Sequence, residues 1–108
     1  MDTITAVSQI NAQNAAEYLR IAELSSDDEA MLNTLINVAT TFIANYTGQP
    51  SDKLDDFPSF VIVALILIQD MWDNRALYVD KTNLNVTVET ILGMHSVNLL
   101  PTVGGNDD

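Results

Sequence analysis

His95 stands beside Ser96, and a serine next to a histidine is the pair from which nucleophilic hydrolysis is built. No Gly-x-Ser-x-Gly elbow surrounds this serine, and no glycine-rich oxyanion loop precedes it. The pair therefore reads as a surface histidine and hydroxyl in a loose segment. Two acidic runs suggest metal chemistry instead. Asp27-Asp28-Glu29 is one, but Ser26 lies three residues before Glu29 and completes a capping-box pattern. Acids in a first helical turn also answer the helix dipole. Asp52, Asp55 and Asp56 form the other run, without the alternating ligands, central glycine and closing glutamate of a calcium loop. The glycines are Gly48, Gly93, Gly104 and Gly105, and none opens a helix after a strand to cradle phosphate. There is no cysteine, which removes disulfides, thiolate zinc and a cysteine nucleophile, and a single histidine removes a histidine-rich metal site. The expectation is a protein with no catalytic residue, no cofactor and no bound metal: not an enzyme.

Bulk properties narrow the partners. The chain of 108 residues is one domain's worth, and its 47% apolar content suits a folded core. Fifteen acids against four bases leave a net charge of −11. Such a surface repels DNA phosphate and anionic lipid. The N-terminal Met1-Asp2-Thr3-Ile4-Thr5 lacks the basic and apolar regions of a secretory leader. Phe60 to Ile68 is an unbroken apolar run, but a membrane helix needs about 20 such residues. With Asp55-Asp56 before it and Asp70 and Asp73 after it, the run reads as a helix buried by protein, with no membrane contact.

Four helical pieces would position these residues. The first spans about Ala12 to Arg20, capped by Asn11, with Ala15, Ala16, Tyr18 and Leu19 as its apolar edge. The second starts at the Ser26 cap and runs to about Tyr46. Leu32, Leu35, Ile36, Ala39, Phe42, Ile43 and Tyr46 form one stripe on it. Gly48 ends it in a left-handed turn, and Pro50 forbids continuation. Residues 47–57 are a polar loop. Pro58 opens the third helix at its first position, and the helix reaches about Tyr78. Its second half sets Met71, Trp72, Ala76 and Val79 against Asp70, Asp73, Asn74 and Lys81. Residues 80–85 are a loop, Val86 to Val88 are briefly extended, and a last short helix from about Thr87 to Leu92 stops at Gly93. The fold class is all-α: a small bundle of three to four helices, two of them long and central. The helical domain covers 1–94, and a flexible tail covers 95–108.

The third helix carries the strongest physical signal. Phe60, Val61, Ile62, Val63, Ala64, Leu65, Ile66, Leu67 and Ile68 cover every side of it. Soluble monomers avoid contiguous exposed apolar patches. Either the other three helices wrap this one within a single chain, or neighbouring subunits bury it. The shortness of the first and last helices favours the second. Candidate interface residues are Phe60, Ile62, Val63, Ile66, Trp72 and Arg75. Arg75 is one of only four bases and lies near Asp70 and Asp73, so an intrahelical ion pair competes with a partner contact. Arg20 and Tyr18 carry the same ambiguity, with packing favoured.

Several stretches together resemble a known family. They are Glu17-Tyr18-Leu19-Arg20-Ile21, Ser26-Asp27-Asp28-Glu29 with Leu32, Leu35 and Ile36, Tyr46-Thr47-Gly48, Pro58 with the apolar helix reaching Trp72-Asp73-Asn74-Arg75, and Val88-Glu89-Thr90-Ile91-Leu92. In this order they resemble the small head–tail connector proteins of long-tailed bacteriophages and prophages, also described as head-completion adaptors or putative DNA-packaging proteins. The likeness covers about residues 10–95. The family often has a proline and a basic residue after the last helix, where Gly93-Met94-His95 stands here.

The resemblance implies an all-helical subunit of a homo-oligomeric ring, dodecameric on the portal protein. Such a ring extends the DNA channel and offers a platform to the next head-completion or tail protein. DNA passes through without specific binding. The places implied are the host cytoplasm during assembly and the head–tail junction of the virion. An acidic wall suits a conduit, because it gives sliding DNA no counterion-releasing contacts. The alternative is an acidic DNA mimic that occupies a DNA-binding host protein. Mimicry needs carboxylates along one face at phosphate-like intervals, whereas these acids cluster at helix starts and loops.

Overall fold

The computed structural model describes residues 4–97. Four α-helices form the all-α bundle expected: α1 Ala12–Leu19, α2 Ser26–Thr47, α3 Ser59–Asn74 and α4 Val86–Met94. Among the described residues there is no strand. Short 3-10 turns lie at Val7–Gln9, Ser51–Asp56 and Lys81–Asn83. The long pair α2 and α3 makes the main contact, with α1 and α4 packed on both.

Local chemistry sets the helix starts. The Asn11 side chain accepts from the Asn14 amide and Asn14 returns the bond to the Asn11 amide, both at 2.9 Å. For α2 the cap is Ser25, one residue earlier than the sequence pattern suggests. The Ser25 hydroxyl accepts from the Asp28 amide at 3.1 Å while its own backbone is still extended. Ser26 is already helical, so the expected Ser26–Glu29 box does not form. Pro58 has helical angles and leads directly into Ser59. Asn85 caps α4 by accepting from the Thr87 and Val88 amides. That cap starts the helix at Val86, where an extended segment was expected.

Three of the four helices end in a left-handed residue, which is of two kinds. Gly48 closes α2 with φ 74°, as the sequence indicates. At α1 and α3 an arginine takes that left-handed role: Arg20 at φ 62° and Arg75 at φ 54°. Each arginine amide bonds to the carbonyl three residues back. The following amide, of Ile21 or Ala76, reaches five residues back, to Ala16 or Met71. This is the Schellman pattern, normally built on glycine. It ends α3 at Asn74, four residues short of the expected Tyr78. Gly93, expected to stop α4, lies inside it without a positive φ.

The core corrects the main expectation about α3. Phe60, Val61, Val63, Ala64, Leu65, Leu67 and Ile68 are buried within the single chain, among Leu32, Leu35, Ile43, Val88 and Leu92. Ile62 alone of the run is exposed, and Ile66 is half-buried. The other helices wrap this one because the loops contribute too. Val7, Ile10 and Leu54, from the N-terminal segment and the 3-10 turn before α3, join the same core. Residues 47–57 are thus a packed turn, not only a polar loop.

The boundary expected at residue 95 also moves. The Val97 amide donates to the Thr47 carbonyl at 2.6 Å, and the Gln49 side chain donates to the His95 carbonyl at 3.0 Å. His95 to Val97 therefore belong to the bundle. The remainder of the expected tail, 98–108, lies outside the described residues.

Candidate interaction surface

Two ends of the bundle differ in how their polar groups are used. At one end α2 and α4 finish where α3 begins. The His95 ring packs 4.8 Å from Phe57 and edge-on to Phe60 at 5.5 Å, centroid to centroid. Its Nε2 lies 3.5 Å from the Ser59 hydroxyl. The Ser96 hydroxyl instead donates to the Leu92 carbonyl. His95 is thus half-buried against aromatic rings, not the surface histidine expected. Thr47, fully buried, donates to the Ile43 carbonyl at 2.7 Å and accepts from the Gln49 amide. These groups serve the junction.

Nearby, Asp55 accepts from both the amide and the hydroxyl of Ser8, at 2.9 and 2.6 Å. Those bonds hold the Asp55 carboxyl below the usual carboxylate range, the hydroxyl contributing most. Asp80 is held low likewise, chiefly by the Asn83 side chain and also by the Thr82 and Asn83 amides. Two of the acids available for mimicry or metal binding are therefore already engaged, Asp55 in a tether between two turns and Asp80 within its own turn. Among the described residues no group of three metal-ligating side chains gathers. No helix there is long and apolar enough to cross a membrane.

The other region of interest is the connection from Arg75 to Asn85. It folds back as a strap, making a cleft with the last turns of α3 on one side and a groove with α2 on the other. The cleft, about 450 Å³, contains Asp70, Asp80 and Asn83 above Leu67 and Met71. Partial burial raises the Asp70 carboxyl from its ordinary value, and neighbouring Asp73 adds to this. The groove, about 420 Å³, lies between Val38 and Phe42 of α2 and Leu77 and Tyr78 of the strap. Leu77 is 53% exposed and Tyr78 69%.

The candidate interface residues separate on this framework. Phe60 and Val63 are 0% exposed. They fill the chain's own core and offer a partner no surface, which corrects the expectation for both. Ile62, at 53%, is exposed, and Ile66 packs on the core with one side open. Trp72 is half-buried, and the Arg75 guanidinium lies 5.1 Å from the centre of its ring. Arg75 is a cap beyond the helix and not a member of its charged face. Leu77 and Tyr78 are not among the expected interface residues, because the sequence pattern runs α3 through them. The available signal was the repeated order of a polar or large residue, arginine and then an apolar residue at Leu19-Arg20-Ile21 and Asn74-Arg75-Ala76.

Comparison with protein-family models, curated proteins and solved structures gives no match. What the fold defines is a class: a small all-α bundle with exposed apolar side chains on several elements, Ile62 on α3, Leu77 and Tyr78 on the strap, and Val86 and Met94 on α4 among them.

Proposed function

We propose that this chain is a ring-forming subunit of a phage head–tail connector, seated on the portal protein, that extends the DNA channel and offers a surface to the next head-completion or tail protein. The observation that supports this reading is the placement of exposed apolar residues on different surfaces, among them Ile62 on α3, beside the half-buried Ile66, and Leu77 with Tyr78 on the strap. A head-to-tail contact joins two different patches and closes when its rotation permits. The resembling residues agree with such a subunit. Leu19-Arg20-Ile21 and Asn74-Arg75-Ala76 end α1 and α3 by the same device, and Gly48 ends α2.

The interface is smaller than the sequence alone suggests, because α3 does not need neighbours to hide it. Assembly then depends on modest patches and on the portal as a template. Light scattering, alone and with portal particles, tests this, followed by electron microscopy of the mixture. The expected result is a ring of added density on the portal. A chain that stays monomeric at high concentration and adds nothing to the portal overturns the reading.

A further inference from the structure

We propose that the groove between α2 and the strap receives the exposed stripe of α3 from a second copy of this chain, with Lys81 at the groove rim meeting Asp73 of the stripe. The proposal rests on the ring reading above and names the surfaces that would pair.

The stripe is regular. Ile62, Ile66, Gln69 and Asp73 recur at steps of four, three and four, so they share one helix face. Three of them are exposed and Ile66 is half-buried. Two apolar anchors at i and i+4 followed by polar residues are what a helix lays into a groove. The groove offers Val38, Phe42, Leu77 and Tyr78 as its apolar lining. Its α2 wall, from Asn37 to Asn45, runs about 12 Å, and the stripe from Ile62 to Gln69 runs about 10 Å, at the helical rise per residue.

Charge selects the occupant. Two copies at −11 each repel, so a self-contact must keep acids from facing acids. The chain has fifteen acids, yet none lines this groove, and Lys81 does. The neighbouring Asp80 carboxylate is turned onto Thr82 and Asn83 within the strap. The stripe, by contrast, ends in acid: Asp73, with Asp70 beside it. Asp70 is already raised, by burial first and by neighbouring Asp73 second, and a cation from outside offsets the second of these. The groove therefore complements a surface that is apolar at one end and acidic at the other. Groove and stripe are different surfaces, so the contact is head to tail.

The absence of cysteine makes a direct test available. Two single-cysteine variants, D73C and K81C, are mixed at millimolar concentration, with and without portal particles, under mild oxidation. Both positions are exposed, and circular dichroism checks that each variant folds. The expected result is a D73C–K81C disulfide dimer that forms several-fold faster than either variant with itself, or than K81C with the control N33C on α2. The charge reversal D73K weakens self-association in sedimentation, and the double variant D73K/K81D restores it. Equal cross-linking rates in all mixtures overturn the proposal. If rings still form on the portal in that case, the ring reading survives and only this pairing is wrong. If Tyr78→Ser abolishes portal binding while no cross-link forms, the groove belongs to the portal, which also overturns the proposal. Failure of self-association and of portal binding together removes the ring reading itself.

Discussion

Residues 60–68 and residues 72–81 follow one another on the same stretch of chain and behave oppositely. The first is the most apolar segment of the protein and is almost wholly enclosed. The second mixes acids, amides and aromatic residues, and it holds Leu77 and Tyr78 exposed. Apolar density alone therefore does not mark an interface. A run that is apolar all round tells the chain to bury it. The short elements Val7–Gln9 and Ser51–Asp56 add Val7 and Leu54 to the cover that the helices give. The exposed patch arises where a helix stops early and its continuation folds back.

The largest expected effect separates these regions. Phe60→Ala removes a fully buried ring packed on Phe57 and His95. It should destabilise the monomer by about 3–5 kcal/mol in urea unfolding. Ile62→Ala, two residues away but half exposed, should change monomer stability by no more than about 0.5 kcal/mol. Its effect should appear in assembly. Comparable losses at both positions would mean that α3 is not enclosed as described.

How much of this was legible depended on whether a single residue carried the signal. Asn11, Gly48, Pro58 and the α2 stripe each act through their own neighbours, and the sequence showed them. The α3 terminus was hidden because arginine, not glycine, takes the left-handed position. Its cause is the pair of crossing hydrogen bonds and the tuck of Ala76, which no single residue announces. The docking of His95–Val97 depends on Thr47 and Gln49, distant in sequence, so nothing local revealed it. The α2 cap was ambiguous between adjacent serines. A sharper test follows: Ser25→Ala should cost about 1 kcal/mol through loss of the Asp28 amide bond, whereas Ser26→Ala should be near neutral. The reverse order would restore the Ser26 cap.

A smaller effect concerns helix ends. Gly93 sits within α4, and a Cβ built on it meets nothing within 4 Å. Gly93→Ala should therefore stabilise the protein by roughly 0.5–1 kcal/mol, read as a raised thermal midpoint. At Gly48 the same substitution should destabilise, since its φ of 74° disfavours any Cβ. If both changes acted alike, the distinction between a glycine that ends a helix and one that continues it would collapse.

The smallest effect is a pair of opposite responses to acid. Asp55 is held low by Ser8, so it binds its proton less readily in the folded chain than in the unfolded one. Its contribution is fully present above the ordinary aspartate value of about 4 and is lost as pH falls through the folded value. Acid should thus loosen the N-terminal turn from the Ser51–Asp56 turn. Asp70 is raised, by burial first and by Asp73 second, so its charge is a burden that acid relieves. Titration followed by carboxyl carbon NMR should place Asp55 below and Asp70 above the ordinary range. Ser8→Ala should return Asp55 toward that range, since both of its lowering bonds come from Ser8 and the hydroxyl is the larger. Asp73→Asn should lower Asp70 only partly, because burial persists. Coincident titration of the two carboxyls would show that neither the Ser8 tether nor the strap over Asp70 holds in solution.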